Sequence, residues 1–462
     1  MLEMQLEQVP LYRQDGTGKP DFNFLPVYVL FTIFIYLLET YLDLRQHRLL
    51  KEKTTPAALL EALNVVDSEN KGLGAVAKAT DKFAASQSYG LDKSNFHFFE
   101  KAFDLVAGIV IDLMGWMPCL WDVSSGIVAK WGINPAGGDI ATSLVFVGLV
   151  LVFQNVLGLP FALYGVFVVE ERHGFNKSTL GLFFADKAKN LVLSAVIGAP
   201  VLAGILKIME LGGRFFYVYV WCFMFAFSVI MITVAPVLIM PLFNKYTPLE
   251  DGELKTGIEA LAARVNFPLT KLFVVDGSKR SAHSNAYFYG FLKNKRIVLF
   301  DTLIKQADTS EIVSILGHEL GHWKMSHTLQ GFAISQTYML AAFFAFALAT
   351  EVGESLRLSF GFSTPAKLIG LYLFFSVMWT PVDHVLSVLM NMLSRKNEFQ
   401  ADAYAVKLGY SKGLQSGLVK LQLENLGNMN PDPWYSAFHY SHPPLVERLQ
   451  AIGSGSDSKK DA

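Results

Sequence analysis

The chain has 462 residues, 52% of them hydrophobic and only 17% charged, with a net charge of -1. Charge this sparse, with a mean hydropathy of +0.35, excludes an ordinary soluble domain and points to a membrane protein. Near neutrality leaves no basic surface for nucleic acid. The two cysteines, Cys119 and Cys222, exclude a disulfide framework and a thiolate metal cluster, and read as packed thiols.

Residues 1–23 are polar and partly acidic, with no basic secretory leader. Seven apolar stretches follow, near 24–42, 102–120, 144–169, 190–209, 215–243, 328–350 and 368–393. Each approaches the roughly 20 helical residues that a bilayer requires. Asp104 and Asp112 interrupt the second, and Pro200, Pro236 and Pro381 fall inside later ones. Lys and Arg number nine in 43–101, four in 170–189, eleven in 244–327 and eight in 394–462. The alternate segments 1–23, 121–143, 207–214 and 351–367 hold two, one, two and two. That alternation places the first segment on the lumenal side and the C-terminus in the cytosol.

The expected organisation is therefore a lumenal segment (1–23), five spans with their loops (24–243), a cytosolic part (244–327), two more spans (328–393), a second cytosolic part (394–450) and a disordered tail (451–462). In 244–327 a polar helix, "GELKTGIEALAARVNF", precedes three short strands, "KLFVVD", "SNAYFYG" and "RIVLFD", rich in β-branched and aromatic residues. The last two pair as a hairpin across "FLKNK", and a helix covers 309–327. Residues 394–450 read as helices with "NMNPDPW" as a loop. The two cytosolic parts form one domain split by spans six and seven. Asp383 and His384, like Gln154, Asn155 and Asp112, lie within apolar stretches and face either a water-filled interior or partners on other helices.

His318, Glu319 and His322 form an HExxH motif. On a helix the two imidazoles share one face and reach one metal, with the glutamate beside the metal's water. A catalytic zinc needs a third protein ligand and an open position. "SRKNEFQADAYA" offers Glu398, with Asp402 one turn later to hold a ligand histidine through its other ring N–H. His322 lies six residues before the sixth span and Glu398 five after the seventh, so both half-sites lie at one membrane face. As antiparallel neighbours, these spans bring the halves together, within roughly 10–15 Å of the hydrocarbon edge. The metal lowers the pKa of a water and polarises the scissile carbonyl. Glu319 takes the water proton and returns it to the leaving amine. The oxyanion needs a further donor, for which His442 and Asn285 are candidates. His327, His283 and His439 read as packing or supporting residues. Ser284–Gly290, short, aromatic-rich and upstream of the HExxH helix, is the candidate edge strand for an extended peptide, with Ser284, Asn285, Ala286 and Tyr287 as its substrate-binding residues.

These residues resemble those of the type I CaaX prenyl proteases, zinc metalloproteases of the endoplasmic reticulum membrane. The matching stretches are "LETYLDLRQ", "EERHGFNKST", "PLFNKYTPL", "GSKRSAHSNAYFYGFLKNKRIVLFDTL", "LGHELGHWKMSH", "SRKNEFQADAYA" and "SHPPLVERL". The resemblance implies an all-α membrane protein with a small β element. Seven helices form a barrel around an aqueous chamber, with a split gluzincin-like zinc protease domain on the cytosolic side. It implies His318, His322 and Glu398 as zinc ligands, Glu319 as the base, and Asn285 and His442 at the substrate or oxyanion. Asp402 would stand behind a ligand histidine, and Arg448 matches the arginine that follows His-Pro-Pro. The implied reaction is removal of the last three residues from prenylated CaaX proteins. The competing expectations are a quality-control zinc protease acting on unfolded proteins and, from another class, a transporter, for which inverted repeats are not seen. Lys459 and Lys460 resemble a dilysine retrieval signal.

Overall fold

The computed structural model describes residues 12–14, 20–133, 139–290 and 294–457. Lys459 and Lys460 lie outside them. Helices dominate because a chain in lipid must satisfy its backbone polar groups internally. Among the described residues, five helices are long and apolar enough to cross a membrane: Phe24–Leu49, Asp139–Glu170, Leu180–Leu211, Gly213–Leu242 and His327–Leu348. Two helix pairs pass the same test only together and are bent at a break, Ala75–Leu113 with Trp116–Lys130 at 60° and Lys367–Met378 with Thr380–Lys407 at 56°. The protein thus crosses the membrane several times, with five to seven spans.

The bends correct two expected spans. The stretch 102–120 is not one helix, because Gly115 at φ 63° interrupts it in a conformation that only glycine adopts cheaply. The seventh span breaks at Trp379. Pro381 then sits in the first turn of Thr380–Lys407, where a missing N–H costs no helix bond. The sixth span packs along Phe216–Val234. It meets the seventh through rings, Phe346 on Phe374 and Tyr338 on Trp379, not through closely packed backbones. Tyr338 Oη donates to Asp383 at 2.5 Å, which gives this intramembrane carboxylate an interhelical partner. Cys119 and Cys222 are free, as expected, but exposed and not packed. They lie on apolar helices whose outer faces are themselves apolar, where lipid replaces protein packing.

A four-stranded sheet has the order β3-β4-β6-β5 (Tyr246–Pro248, Leu269–Val275, Lys295–Phe300 and Ala286–Tyr289). β5 and β6 pair antiparallel, with Ala286 opposite Leu299, so the expected hairpin forms. β4 runs parallel to β6. β5 is an edge strand. It begins at Ala286, so Ser284 and Asn285 precede it instead of lying within it. β3 escaped the sequence reading, as did the small antiparallel pair β1 (Tyr12–Gln14) and β2 (Pro20–Phe22) in the first segment. Helix Glu253–Val265 and helix Thr309–Lys324 cover one face of the sheet through Ile258, Leu261, Ile297, Leu299, Ile312 and Leu316.

The loop 43–101 is not a mere connection. Its helix Ala57–Glu69 and the start of Ala75–Leu113 bury Leu59, Leu63, Val66 and Phe83 against Val419, Leu423 and Leu449. The last helix, Leu445–Asp457, runs past residue 451, which corrects the expected disorder of 451–457. Ile452, 1% exposed, holds that extension against Ala405, Val406 and Leu414.

Candidate metal centre

The helix that carries HExxH starts at a capping box. Asp308 N–H donates to Glu311 Oε2 at 2.8 Å, while the Asp308 side chain accepts from the Glu311 N–H. Lys420 Nζ donates to the same Glu311 carboxylate at 2.6 Å, which ties helix Ser411–Glu424 to this start. Ile312, Leu316 and Leu320, four apart, face the sheet core. His318, Glu319 and His322 then point into a cavity of about 230 Å³, shared with Asn285, Ala286 and His442.

The third ligand candidate arrives because two helices approach closely. A Cβ at Gly321 would lie 3.1 Å from Ala401 Cα and 3.2 Å from the Ala401 carbonyl oxygen. Ala401 and Ala405 are fully buried on the facing helix, Thr380–Lys407. Glu398, one turn before Asp402, is thereby carried to the histidines. Its Oε2 lies 3.4 Å from His318 Nε2 and its Oε1 3.3 Å from His322 Nε2. The two Nε2 atoms are 3.2 Å apart.

Donor accounting fixes the tautomers. Asp402 Oδ1, an acceptor, lies 2.8 Å from His318 Nδ1, which must donate and so leaves the Nε2 lone pair facing the cavity. Arg448 donates to Asp402 from Nε at 2.8 Å and from Nη2 at 2.7 Å. Its 3.3 Å contact with His318 Nδ1 joins two donors and is no bond. His322 Nδ1 lies 3.0 Å from His327 Nδ1, and His327 Nε2 lies 3.0 Å from Gln400 Oε1. With the Gln400 oxygen accepting from His327 Nε2, His327 Nδ1 is an acceptor for His322 Nδ1, and the His322 Nε2 edge is turned to the cavity. His327 thus orients His322, a candidate ligand.

Two imidazole Nε2 atoms and a carboxylate therefore converge on one point of the cavity. Glu398 Oε2 is buried without a hydrogen-bond partner. A tetrahedral metal with ligand bonds of about 2.0–2.1 Å places its ligand atoms about 3.3 Å apart. The observed 3.2–3.4 Å separations fit that requirement. Electrostatics agree. Burial opposes charge on His318, yet the neighbouring Asp402 and Glu398 carboxylates prevail and push its pKa up to about 9. Either a proton or a metal ion can satisfy that demand for a cation. Burial pushes the Glu319 carboxyl above its ordinary range, against the pull of the His318 and His322 rings. A carboxyl raised in this way is better matched to receiving a proton near neutral pH.

The remaining candidates fall around this centre. His442, with its side chain 65% exposed, places Nε2 3.4 Å from Glu398 Oε1 and Nδ1 3.0 Å from Ser441 Oγ. The Asn285 carbonyl accepts from Phe300 N–H at 3.0 Å. In a trans peptide the next N–H points the opposite way, so Ala286 N–H faces away from β6. It is taken up by Asn285 Oδ1 at 2.8 Å. Ser284 N–H donates to Asn425 Oδ1 at 3.2 Å, and the Ser284 hydroxyl to Gln306. Tyr287 pairs its hydroxyl with that of Tyr246. Sequence reasoning missed Asn425, Gln400 and the small residues Gly321 and Ala401. The glycine inside HExxH and the alanines on the E-x-x-x-D helix were the available signal.

Family profiles match most of the chain. One, described as CAAX prenyl protease N-terminal, five membrane helices, covers residues 46–245. Another, peptidase family M48, covers residues 248–455. The CAAX prenyl protease 1 homolog of Oryza sativa subsp. japonica is 47% identical over 439 residues, spanning 95% of this chain and 99% of that protein. The Homo sapiens homolog is 41% identical, spanning 92% and 94%. The CAAX prenyl protease 1 of Saccharomyces cerevisiae is 39% identical, spanning 93% and 95%. The crystal structure of S. mikatae Ste24p superposes with a TM-score of 0.82 at 38% identity, covering 94% of this chain and all of that one.

Two substitutions test this geometry. Gly321→Val should push the helices apart, with loss of stoichiometric metal in the purified protein. Metal content equal to wild type would show that the close approach is not needed. Asp402→Asn should weaken metal affinity by about 10–100-fold, read by competition with a chelator.

Proposed function

We propose, for a chain that belongs to peptidase family M48 in its CAAX prenyl protease group, that it removes the C-terminal three residues from prenylated CaaX proteins with a zinc ion held by His318, His322 and Glu398. The chain is a metalloprotease of the CaaX protease type. The observation that carries the reading of the reaction is one cavity in which β5, Glu319 and the His-His-Glu group share a wall. Two imidazoles and a carboxylate are the donor set of hydrolytic zinc sites with an open position. Zinc bound there supplies a Lewis acid for the scissile carbonyl and lowers the pKa of water.

The chain's own residues do the rest. Glu319 takes the proton from the attacking water and delivers it to the leaving amine. The edge of β5 binds the peptide as an added strand, with Ala286 N–H exchanging its local acceptor for a substrate carbonyl. That exchange frees the Asn285 side chain to turn toward the reacting carbonyl. His442 flanks the same carbonyl from the opposite cytosolic segment. Arg448 and Asp402 hold His318 in the tautomer that the metal requires. The 56° bend of the seventh span and the helix-to-helix contact at Gly321 bring this site next to the spans. A lipid-modified substrate demands such a position. We place the protein in the endoplasmic reticulum with the site on the cytosolic face and the seven helices around an aqueous chamber.

The deciding assay compares a farnesylated CaaX peptide with its unprenylated twin. Preference for the farnesylated peptide is expected; equal cleavage of both, or of unfolded proteins in general, would favour a quality-control protease. Glu319→Gln should abolish cleavage and keep zinc, whereas Glu398→Ala should lose both. Asn285→Ala should keep zinc and fold but lower kcat/KM by roughly 10–1000-fold. Wild-type kinetics in that variant would remove Asn285 from the site.

A further inference from the structure

The segment that leads into β5 is tied to the membrane spans by a chain of polar contacts centred on His283. Asn425 Oδ1 accepts from Ser284 N–H at 3.2 Å, which fixes that atom as the amide oxygen. His283 Nδ1 lies 3.1 Å from the same oxygen and must donate to it. On the other side His283 Nε2 faces Glu170 Oε2 at 3.3 Å. Glu170 also accepts from the Tyr89 hydroxyl at 2.6 Å. The Tyr89 hydroxyl lies 3.5 Å from the same Nε2, so the ring is bracketed by Asn425 on one side and by Glu170 and Tyr89 on the other. The ring lies flat on Phe175, with centroids 4.1 Å apart and planes 13° apart, which fixes its orientation between these partners. The backbone is held in the same place: Ala282 N–H donates to the Phe175 carbonyl at 3.0 Å, and Thr302 Oγ1 to the His283 carbonyl at 3.0 Å.

We propose that His283 is a positioning residue for the protease reaction. It links Glu170 at the end of a span to Asn425 beside the catalytic helices, and so sets where Ser284, Asn285 and the start of β5 stand relative to Glu319. This rests on the reading that β5 holds the peptide. His283 touches neither metal nor substrate; it acts through the two residues that follow it. Binding of the lipid and of the peptide backbone is spread over a wide surface, whereas alignment of Asn285 with the reacting carbonyl is local. Displacing the lead-in by a fraction of an ångström should therefore alter kcat more than KM.

The test uses full-length, zinc-loaded protein in lipid nanodiscs with a farnesylated CaaX peptide. His283→Gln, which keeps bulk but cannot set polar atoms on opposite edges of a ring stacked on Phe175, and Glu170→Gln should each lower kcat about 10–100-fold with KM changed less than about threefold. Zinc content should stay at wild-type level. Because both act through one chain of contacts, the double variant should fall within about twofold of the worse single variant. Hydrogen exchange, which needs no activity, should show faster exchange across Ser284–Tyr289 in both single variants. Losses that multiply in the double variant, a defect in KM or zinc alone, or unchanged exchange would overturn the proposal. If the wild-type chain shows no Glu319-dependent cleavage, the functional reading fails, and the exchange measurement still decides whether His283 holds the strand.

Discussion

Two carboxylates on one buried helix face organise this protein. Glu398 is 5% exposed and Asp402 1%. Arg448 is the guanidinium or ammonium within ion-pair reach of both among the described residues. Its two donor bonds to Asp402 satisfy that residue and leave Glu398 with a 3.6 Å contact. Buried charge without compensation costs several kcal/mol. The histidines meet that cost only in company with a cation, whether a proton on His318 or a metal between His318, His322 and Glu398. The stability of this face therefore depends on that cation.

That demand dictates packing. A carboxylate from one helix reaches imidazoles on another only if the backbones come close, and Gly321 against Ala401 allows it. The capping box at Asp308 and Glu311, clamped by Lys420, fixes where the metal helix begins and so the rotation of its histidines. Around these helices the segment from 57 onward supplies apolar cover through Leu63 and Phe83. Parts of the chain separated by hundreds of residues thus share one core outside the spans.

The membrane sets the remaining constraint. The bend at Trp379 turns the seventh span into the helix that carries Glu398. The loop before β5 is fastened to the spans by Arg280, whose guanidinium pairs with Asp186 at 2.7 and 3.0 Å, and by His283 with Glu170. The edge strand and the HExxH helix are thereby referred to the same spans.

The sequence alone determined the class of protein, because apolar runs of span length and alternating basic loops follow from composition. It picked out the metal-ligand candidates as well: two histidines four apart on a helix can only share a face, and the E-x-x-x-D spacing puts two carboxylates one turn apart. The β5–β6 hairpin was legible from β-branched and aromatic runs. Four things were decided only by tertiary structure. Bends at Gly115 and Trp379 depend on how helices pack, which hydropathy does not register. The small residues of the helix contact have no periodic signature until their partners are known. His327 and His283 acquired roles only when Gln400, Glu170 and Asn425, distant in sequence, were brought to them. The final helix persists past residue 451 because Ile452 finds a buried seat on Leu414, a contact that local composition, rich in glycine and serine, argues against. Local spacing fixes which atoms share a face; only the folded chain decides which faces meet.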